Sequence, residues 1–185
     1  MRHRSSLASL ALSLALAAPA AAQSGPTASS PSVSAPATTY YPLYGVSGGI
    51  AVPAGRLSDD HAAGYGLNGF VEFAVPNQPY ALRGEGMFQR FALKNGRVGG
   101  KSVNLLSIGP TVMYQVQQAP TQTFLTGGIA IYNASGEGTR PGFNFGGGLG
   151  FPLTGFWATA EARMHVMLSE GKPVLSLPLS VGVKF

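Results

Sequence analysis

The chain closes on Val174-Leu175-Ser176-Leu177-Pro178-Leu179-Ser180-Val181-Gly182-Val183-Lys184-Phe185, and from Leu175 onward apolar residues alternate with small or polar ones. A two-residue period is that of a β-strand, whose successive side chains point to opposite faces. Leu175, Leu177, Leu179, Val181, Val183 and Phe185 share one face; Ser176, Pro178, Ser180, Gly182 and Lys184 share the other. One face is apolar along its whole length.

The same period recurs upstream. In 155–167, Phe156, Ala158, Ala160, Ala162, Met164 and Val166 oppose Trp157, Thr159, Glu161, Arg163 and His165. Leu67, Val71, Phe73 and Val75 oppose Asn68, Phe70 and Glu72, and Leu82 and Phe88 oppose Arg83, Glu85 and Gln89. Segments of about ten residues separated by turn chemistry predict strands near 42–52, 64–75, 79–91, 101–116, 122–133, 142–151, 155–167 and 174–185. Eight is an even number, as a single-chain bacterial barrel requires.

Alternation alone fits either a half-buried soluble sheet, such as a lipocalin-like carrier, or a barrel turned inside out in a membrane. The charges discriminate. Ten of the seventeen that follow Arg4 lie in four connections: Arg56, Asp59 and Asp60; Lys94, Arg97 and Lys101; Glu137 and Arg140; Glu170 and Lys172. Glu72, Arg83, Glu85, Glu161 and Arg163 lie on the polar faces of strands, joined by Lys184 at the chain end, and Arg90 alone falls on an apolar face. A polar lumen inside an apolar belt is the membrane arrangement. The fold class expected is all-β: an eight-stranded antiparallel up-and-down transmembrane β-barrel.

The connections alternate in kind. Those at 53–63, 92–101, 134–141 and 168–173 carry the charges, whereas Pro76-Asn77-Gln78, Gln117 to Thr121 and Pro152 to Thr154 are short and uncharged. Short periplasmic turns and longer outer loops are expected when both ends of the barrel face the periplasm. Tyr44, Phe73, Tyr80, Tyr114, Phe124, Phe151, Phe156 and Phe185 fall near the predicted periplasmic strand ends, one per strand, and read as an interfacial aromatic girdle.

Composition agrees. Only 10% of the 185 residues are charged while 45% are hydrophobic, 26 are Gly and 14 are Pro. An ordinary soluble domain carries about a quarter charged residues. With no Cys, disulfides, thiolate metal sites and thiol nucleophiles are excluded. The basic residues form no stripe, so nucleic acid is not an expected partner.

Residues 1–22 have the three-part layout of a secretory signal: Arg2 and Arg4, an apolar run from Leu7 to Ala18, and Ala20-Ala21-Ala22 before Gln23, where cleavage is expected. The run is too short to span a bilayer. Residues 23–39 are Ser, Pro, Ala and Thr without charge or aromatic groups, the composition of a disordered leader. The barrel is expected over 40–185.

Over 40–185 the chain resembles the small eight-stranded outer-membrane barrels that include the OmpA transmembrane domain and OmpX. Leu177, Leu179, Val181, Val183 and Phe185 resemble the C-terminal signal by which the barrel-assembly machinery selects clients, and Gly45 to Pro53 resembles the first strand of such barrels. The resemblance implies outer-membrane lipid and that machinery as partners, and the outer loops as the place for any external ligand. Cell-wall anchoring is not implied, because no peptidoglycan-binding domain follows the barrel. The loops are also short for a protruding adhesive sheet.

An eight-stranded lumen is just wide enough to be filled by side chains. Glu72, Arg83, Glu85, Glu161, Arg163 and His165 are therefore expected to form an internal network plugging the barrel. Two other readings use the same residues. A narrow pore would need a continuous water path past Glu161 or Arg83. A lipid-modifying enzyme would use Glu161, Arg163 and His165 as a row with a serine such as Ser107 or Ser180. No pattern ties those serines to His165, and one His with one Glu is too few ligands for a metal. No cofactor is expected. Gly127-Gly128 and Gly146-Gly147-Gly148 fall inside strands, so they permit coiling and close approach rather than cradle a phosphate.

Overall fold

The computed structural model describes residues 41–94, 101–117 and 121–185. The expected signal at 1–22, the leader at 23–39, residues 95–100 of one outer connection and residues 118–120 of a turn lie outside the described residues.

Eight strands follow in order: β1 (Leu43–Gly55), β2 (Gly64–Ala74), β3 (Tyr80–Phe91), β4 (Val103–Gln117), β5 (Gln122–Ala134), β6 (Gly138–Leu153), β7 (Phe156–Met167) and β8 (Val174–Lys184), with one short helix, α1 (Leu57–Asp60), after β1. Each strand pairs antiparallel with the next, and β1 pairs with β8 to close the barrel. The closure runs from Gly45 opposite Lys184 to Gly55 opposite Val174. Beyond its end, Tyr44 and Phe185 exchange two backbone hydrogen bonds of 2.9 Å. Closure removes the unpaired edges that an open sheet would present.

Burial alternates with the same period as the sequence. In β3 every odd residue from Ala81 to Phe91 is buried. The opposite face is apolar and bare: Ile108 and Val181 are each 69% exposed, and Ile50, Leu67, Leu82, Leu125 and Ile129 belong to the same belt. A soluble monomer rarely leaves more than a few hundred Å² of contiguous apolar surface uncovered. The barrel therefore has its polarity inverted.

The largest departures from the sequence reading are in β1, which runs on to Gly55 instead of 52 and takes in the start of the loop expected at 53–63, and in β6. β6 starts at Gly138 instead of 142 and ends at Leu153, so the loop expected at 134–141 shrinks to Ser135-Gly136-Glu137 and Pro152 lies within the strand. Gly138-Thr139-Arg140-Pro141 has no apolar alternation to announce a strand; pairing with β5 creates it, aided by a 2.7 Å bond from Asn133 Nδ2 to Thr139 Oγ1. The β6–β7 turn is the two residues Thr154-Gly155, with Gly155 at φ 86°, a conformation that favours glycine.

Candidate functional site

The lumen is filled in layers. At the turn end Ala81, Met113 and Phe124 form a small apolar group. Above it lie the charges. Arg83 on β3 stands opposite Glu72 on β2 in the register. Its two terminal nitrogens donate separately, Nη2 to Glu72 Oε2 at 2.9 Å and Nη1 to Glu161 Oε1 at 2.8 Å. Lys184 of β8 donates to the other oxygen of Glu72 at 3.0 Å and to Gln122 Oε1 at 3.2 Å. One carboxylate thus links two cations.

A second cluster adjoins the first. Arg163 donates Nη1 to Glu85 Oε2 at 2.6 Å and Nη2 to Glu85 Oε1, a bidentate pair. Nη2 also donates to Asn144 Oδ1, and Thr111 Oγ1 donates to Glu85 Oε1 at 2.7 Å. Arg163 Nη1 lies 3.9 Å from Glu161 Oε2, which joins the clusters. Three carboxylates meet three cations, so the interior is neutral, and every one of the six is buried. Buried ions cost several kcal/mol each unless their geometry and hydrogen bonding are good. Most of that requirement is met: each carboxylate is paired with at least one cation, and the oxygens of Glu72 and Glu85 accept two or more charged or hydroxyl donors. Nε of Arg83 and of Arg163 is buried without a hydrogen-bond partner among the described residues.

Space for these side chains comes from glycine. Gly146 and Gly148 stand opposite Arg163 and Glu161 in the β6–β7 register. A Cβ at Gly148 would stand 2.7 Å from Phe124 Cζ and 2.9 Å from Glu161 Cγ, and one at Gly146 would stand 2.9 Å from Arg163 Cγ. The nearest atoms of all to such a Cβ are β7 carbonyl oxygens, Ala162 O at 2.2 Å for Gly146 and Ala160 O at 2.5 Å for Gly148, so the glycine run in β6 also allows the close approach of β7.

The Arg83 guanidinium lies 4.1 Å from the centroid of Phe70 and 5.9 Å from that of Phe124. Such contacts offset part of a cation's desolvation. They also correct the girdle. Phe124 is 1% exposed and points into the lumen. Its parity gives the reason: it shares a face with Gln122 and Thr126, both buried, while Leu125 and Ile129 face out. Tyr44, Phe73, Tyr80, Tyr114, Phe151, Phe156 and Phe185 are all exposed at the turn end, and the rings of Tyr80 and Tyr114 lie 5.2 Å apart.

His165 sits one layer higher and apart from the ion pairs. Its Nδ1 is 3.0 Å from the Tyr132 hydroxyl, the rings meeting edge-on at 81°. Ser180 stands opposite Glu161 and Ser107 opposite Tyr132 in their registers, and the hydrogen-bond partner of the His165 ring is Tyr132. A void of about 30 Å³ near Asn68, Gln89 and His165 has room for one or two waters.

Above His165 the lumen turns apolar. Leu57, Met87, Phe91, Leu105, Ala130, Tyr132, Ala134, Met167 and Val174 form one buried cluster. Leu57 comes from α1, so the β1–β2 connection folds back to cork the mouth. A polar lumen was expected; the third of it at the α1 end is instead a hydrocarbon plug. Sequence reasoning also left Thr111, Gln122, Tyr132 and Asn144 out of the network. Thr111 and Asn144 have the parity opposite to Tyr114 and Phe151, the girdle members of their strands, which was the available signal; Gln122 and Tyr132 share the parity of Phe124, whose assignment to the girdle concealed them.

No family model matches the sequence, and no curated protein matches it in a sequence comparison. Solved structures do match. Neisserial surface protein A aligns over 77% of this chain and 95% of its own at 18% identity, with a TM-score of 0.61. The chain has the fold of the small eight-stranded outer-membrane barrels. Ail of Yersinia pestis, solved in a phospholipid bilayer nanodisc, aligns over 78% of this chain and all of its own at 14% identity, with a TM-score of 0.51.

Proposed function

We propose that this chain is an integral outer-membrane protein with a structural or surface-interaction role, its lumen closed and its outer connections available to an external ligand. The observation that carries the proposal is the inverted polarity: a continuous apolar exterior around an ion-paired interior. Such an exterior has a low-energy solvent only in lipid. The fold is shared with Ail, which was studied in a phospholipid bilayer.

On this reading residues 1–22 direct export and are removed near Ala22/Gln23. The aromatic end then faces the periplasm, and Leu177, Leu179, Val181, Val183 and Phe185 present the assembly signal to the barrel-assembly machinery. The network of Glu72, Arg83, Glu85, Glu161, Arg163 and Lys184 acts as a rigid plug, with His165 bound to Tyr132 above it. The apolar layer over the charges disfavours conduction, because a water path would have to cross it.

Cell fractionation with gel migration of unboiled and boiled samples tests the proposal. Recovery in the outer-membrane fraction with heat-modifiable migration is expected; a chain recovered soluble from the periplasm overturns it.

A further inference from the structure

Among the described residues Arg90 is the only charged residue on the outer face of a strand. It is exposed near the end of β3, with Tyr65 of β2 and Asn104 of β4 opposite it in the two registers. Every other described arginine has a carboxylate partner. The Arg90 guanidinium makes no ion pair, hydrogen bond or ring contact with a described residue. The sequence holds no acidic residue between Glu85 and Glu137, so neither its own hairpin nor the next supplies a counter-ion. A cation on a lipid-facing wall extends its stem to the headgroup level, where an anion can meet it. Tyr65, 51% exposed beside it, is a residue type of that same level.

Below Arg90 on the same three strands the wall changes shape. The next outward row toward the turn end is Leu67, Phe88 and Leu106. Beyond it lies an open trough of about 500 Å³ over Gly69, Gly84, Gly86 and Pro110, walled by Val71 and Ile108. A Cβ at Gly69 or Gly84 would meet nothing within 4 Å, so the trough exists because outward positions lack side chains. From Arg90 to Gly84 is six residues of strand, roughly 20 Å at about 3.3 Å each. With a tilt of about 35–45° that is about 15 Å of depth, half the hydrocarbon thickness of a bilayer. Cation and trough are therefore spaced like the headgroup and the far part of the acyl chain of one lipid.

We propose that Arg90 and this trough form a site for one phosphate-bearing lipid of the outer leaflet, its phosphate on the guanidinium and an acyl chain passing over Phe88 into the hollow. The charge calls for an anion, and the trough calls for a flexible apolar chain attached to it. Strand parity decides the source, because the guanidinium is carried on the wall that faces the bilayer and not on the mouth that faces solvent. The inference rests on the proposed membrane reading and adds to it a place on the wall and a lipid class.

The test uses the folded barrel in micelles of an uncharged detergent, so its failure leaves the membrane assignment, which fractionation decides, standing. NMR of the labelled protein follows the Arg90 Nε–H and the Val71 and Ile108 methyls during titration with dimyristoyl phosphatidic acid and with dimyristoylglycerol, which has the same chains and no phosphate. The phosphatidic acid is expected to shift all three signals saturably and to bind about five-fold more tightly, the contribution of one arginine at a charged lipid surface. Arg90→Gln is expected to abolish that preference. Gly84→Leu and Gly69→Leu, each placed where nothing stands within 4 Å, fill the trough and should weaken both lipids; spectra of each variant report whether it has folded. Equal binding of the two lipids, a preference that survives Arg90→Gln, or binding unchanged by both trough variants would overturn the proposal. So would inorganic phosphate acting on Arg90 at the same concentrations as the lipid, which would make this a site for a free anion.

Discussion

Arg83 is the residue on which the interior depends most. It holds Glu72 and Glu161 from opposite sides and is itself about 1% exposed. Arg83→Leu would leave one carboxylate with Lys184 alone and the other with only the 3.9 Å contact to Arg163. The expected loss is about 3–5 kcal/mol, measured as a lowered urea midpoint for unfolding from micelles. A change below about 1 kcal/mol would mean that water already reaches the pair. Glu137→Gln makes the contrast, since Arg56–Glu137 is more than one-third exposed and such pairs contribute only about 0–1 kcal/mol. Gly45 offers a test of packing. A Cβ there would stand 2.1 Å from Phe70 Cζ, and its three nearest neighbours are all atoms of that ring. Gly45→Ala should therefore destabilise the barrel, and Phe70→Leu in the same chain should recover much of the loss. Strict additivity of the two changes would contradict this packing.

At the scale of elements, α1 and β8 carry separable roles. Leu57→Ala removes the side chain that α1 lowers into the mouth. It is expected to cost about 2 kcal/mol, the low end for a buried leucine because the site is at a rim, and to speed proteolysis between Arg56 and His61. Proteolysis as slow as in the native chain would mean that α1 is held mainly by its polar ties, such as Lys94 Nζ to Ser58 O at 2.6 Å. In β8, Phe185→Ala keeps both backbone bonds to Tyr44. It should refold in micelles like the native chain yet reach the outer membrane in smaller amounts in cells; equal losses in both assays would make Phe185 a packing residue only. The strands themselves were legible because a two-residue period survives in every one of them, most clearly in 155–167 and 174–185. α1 was not, since Leu57-Ser58-Asp59-Asp60 is four residues long and forms in a loop. The start of β6 was not, because its pairing with β5 rather than its own pattern makes it a strand.

For the whole molecule, the layering of the lumen governs permeability. Charges occupy its middle and hydrocarbon the third of it at the α1 end. Planar-bilayer recordings of the purified barrel are expected to show no discrete openings, and Glu161→Gln should not create any because the apolar layer remains. Steady conductance from the native protein would refute the closed state. The charge placement behind this layering was readable from parity, as Glu72, Arg83, Glu85, Glu161 and Arg163 all point inward. The apolar cap was not, for it draws one to three residues from each of six strands and one from α1, and no one segment looks unusual. The Tyr44–Phe185 backbone exchange carries a last consequence. The first and last strands of the barrel lie side by side, so the sequence admits circular permutation: a short linker bridging this seam and a cut at Asn77, an exposed turn residue with φ 57°, would keep all eight pairings. Phe185 would then be internal, and comparing refolding with export of such a permutant would separate what closes the wall from what addresses it.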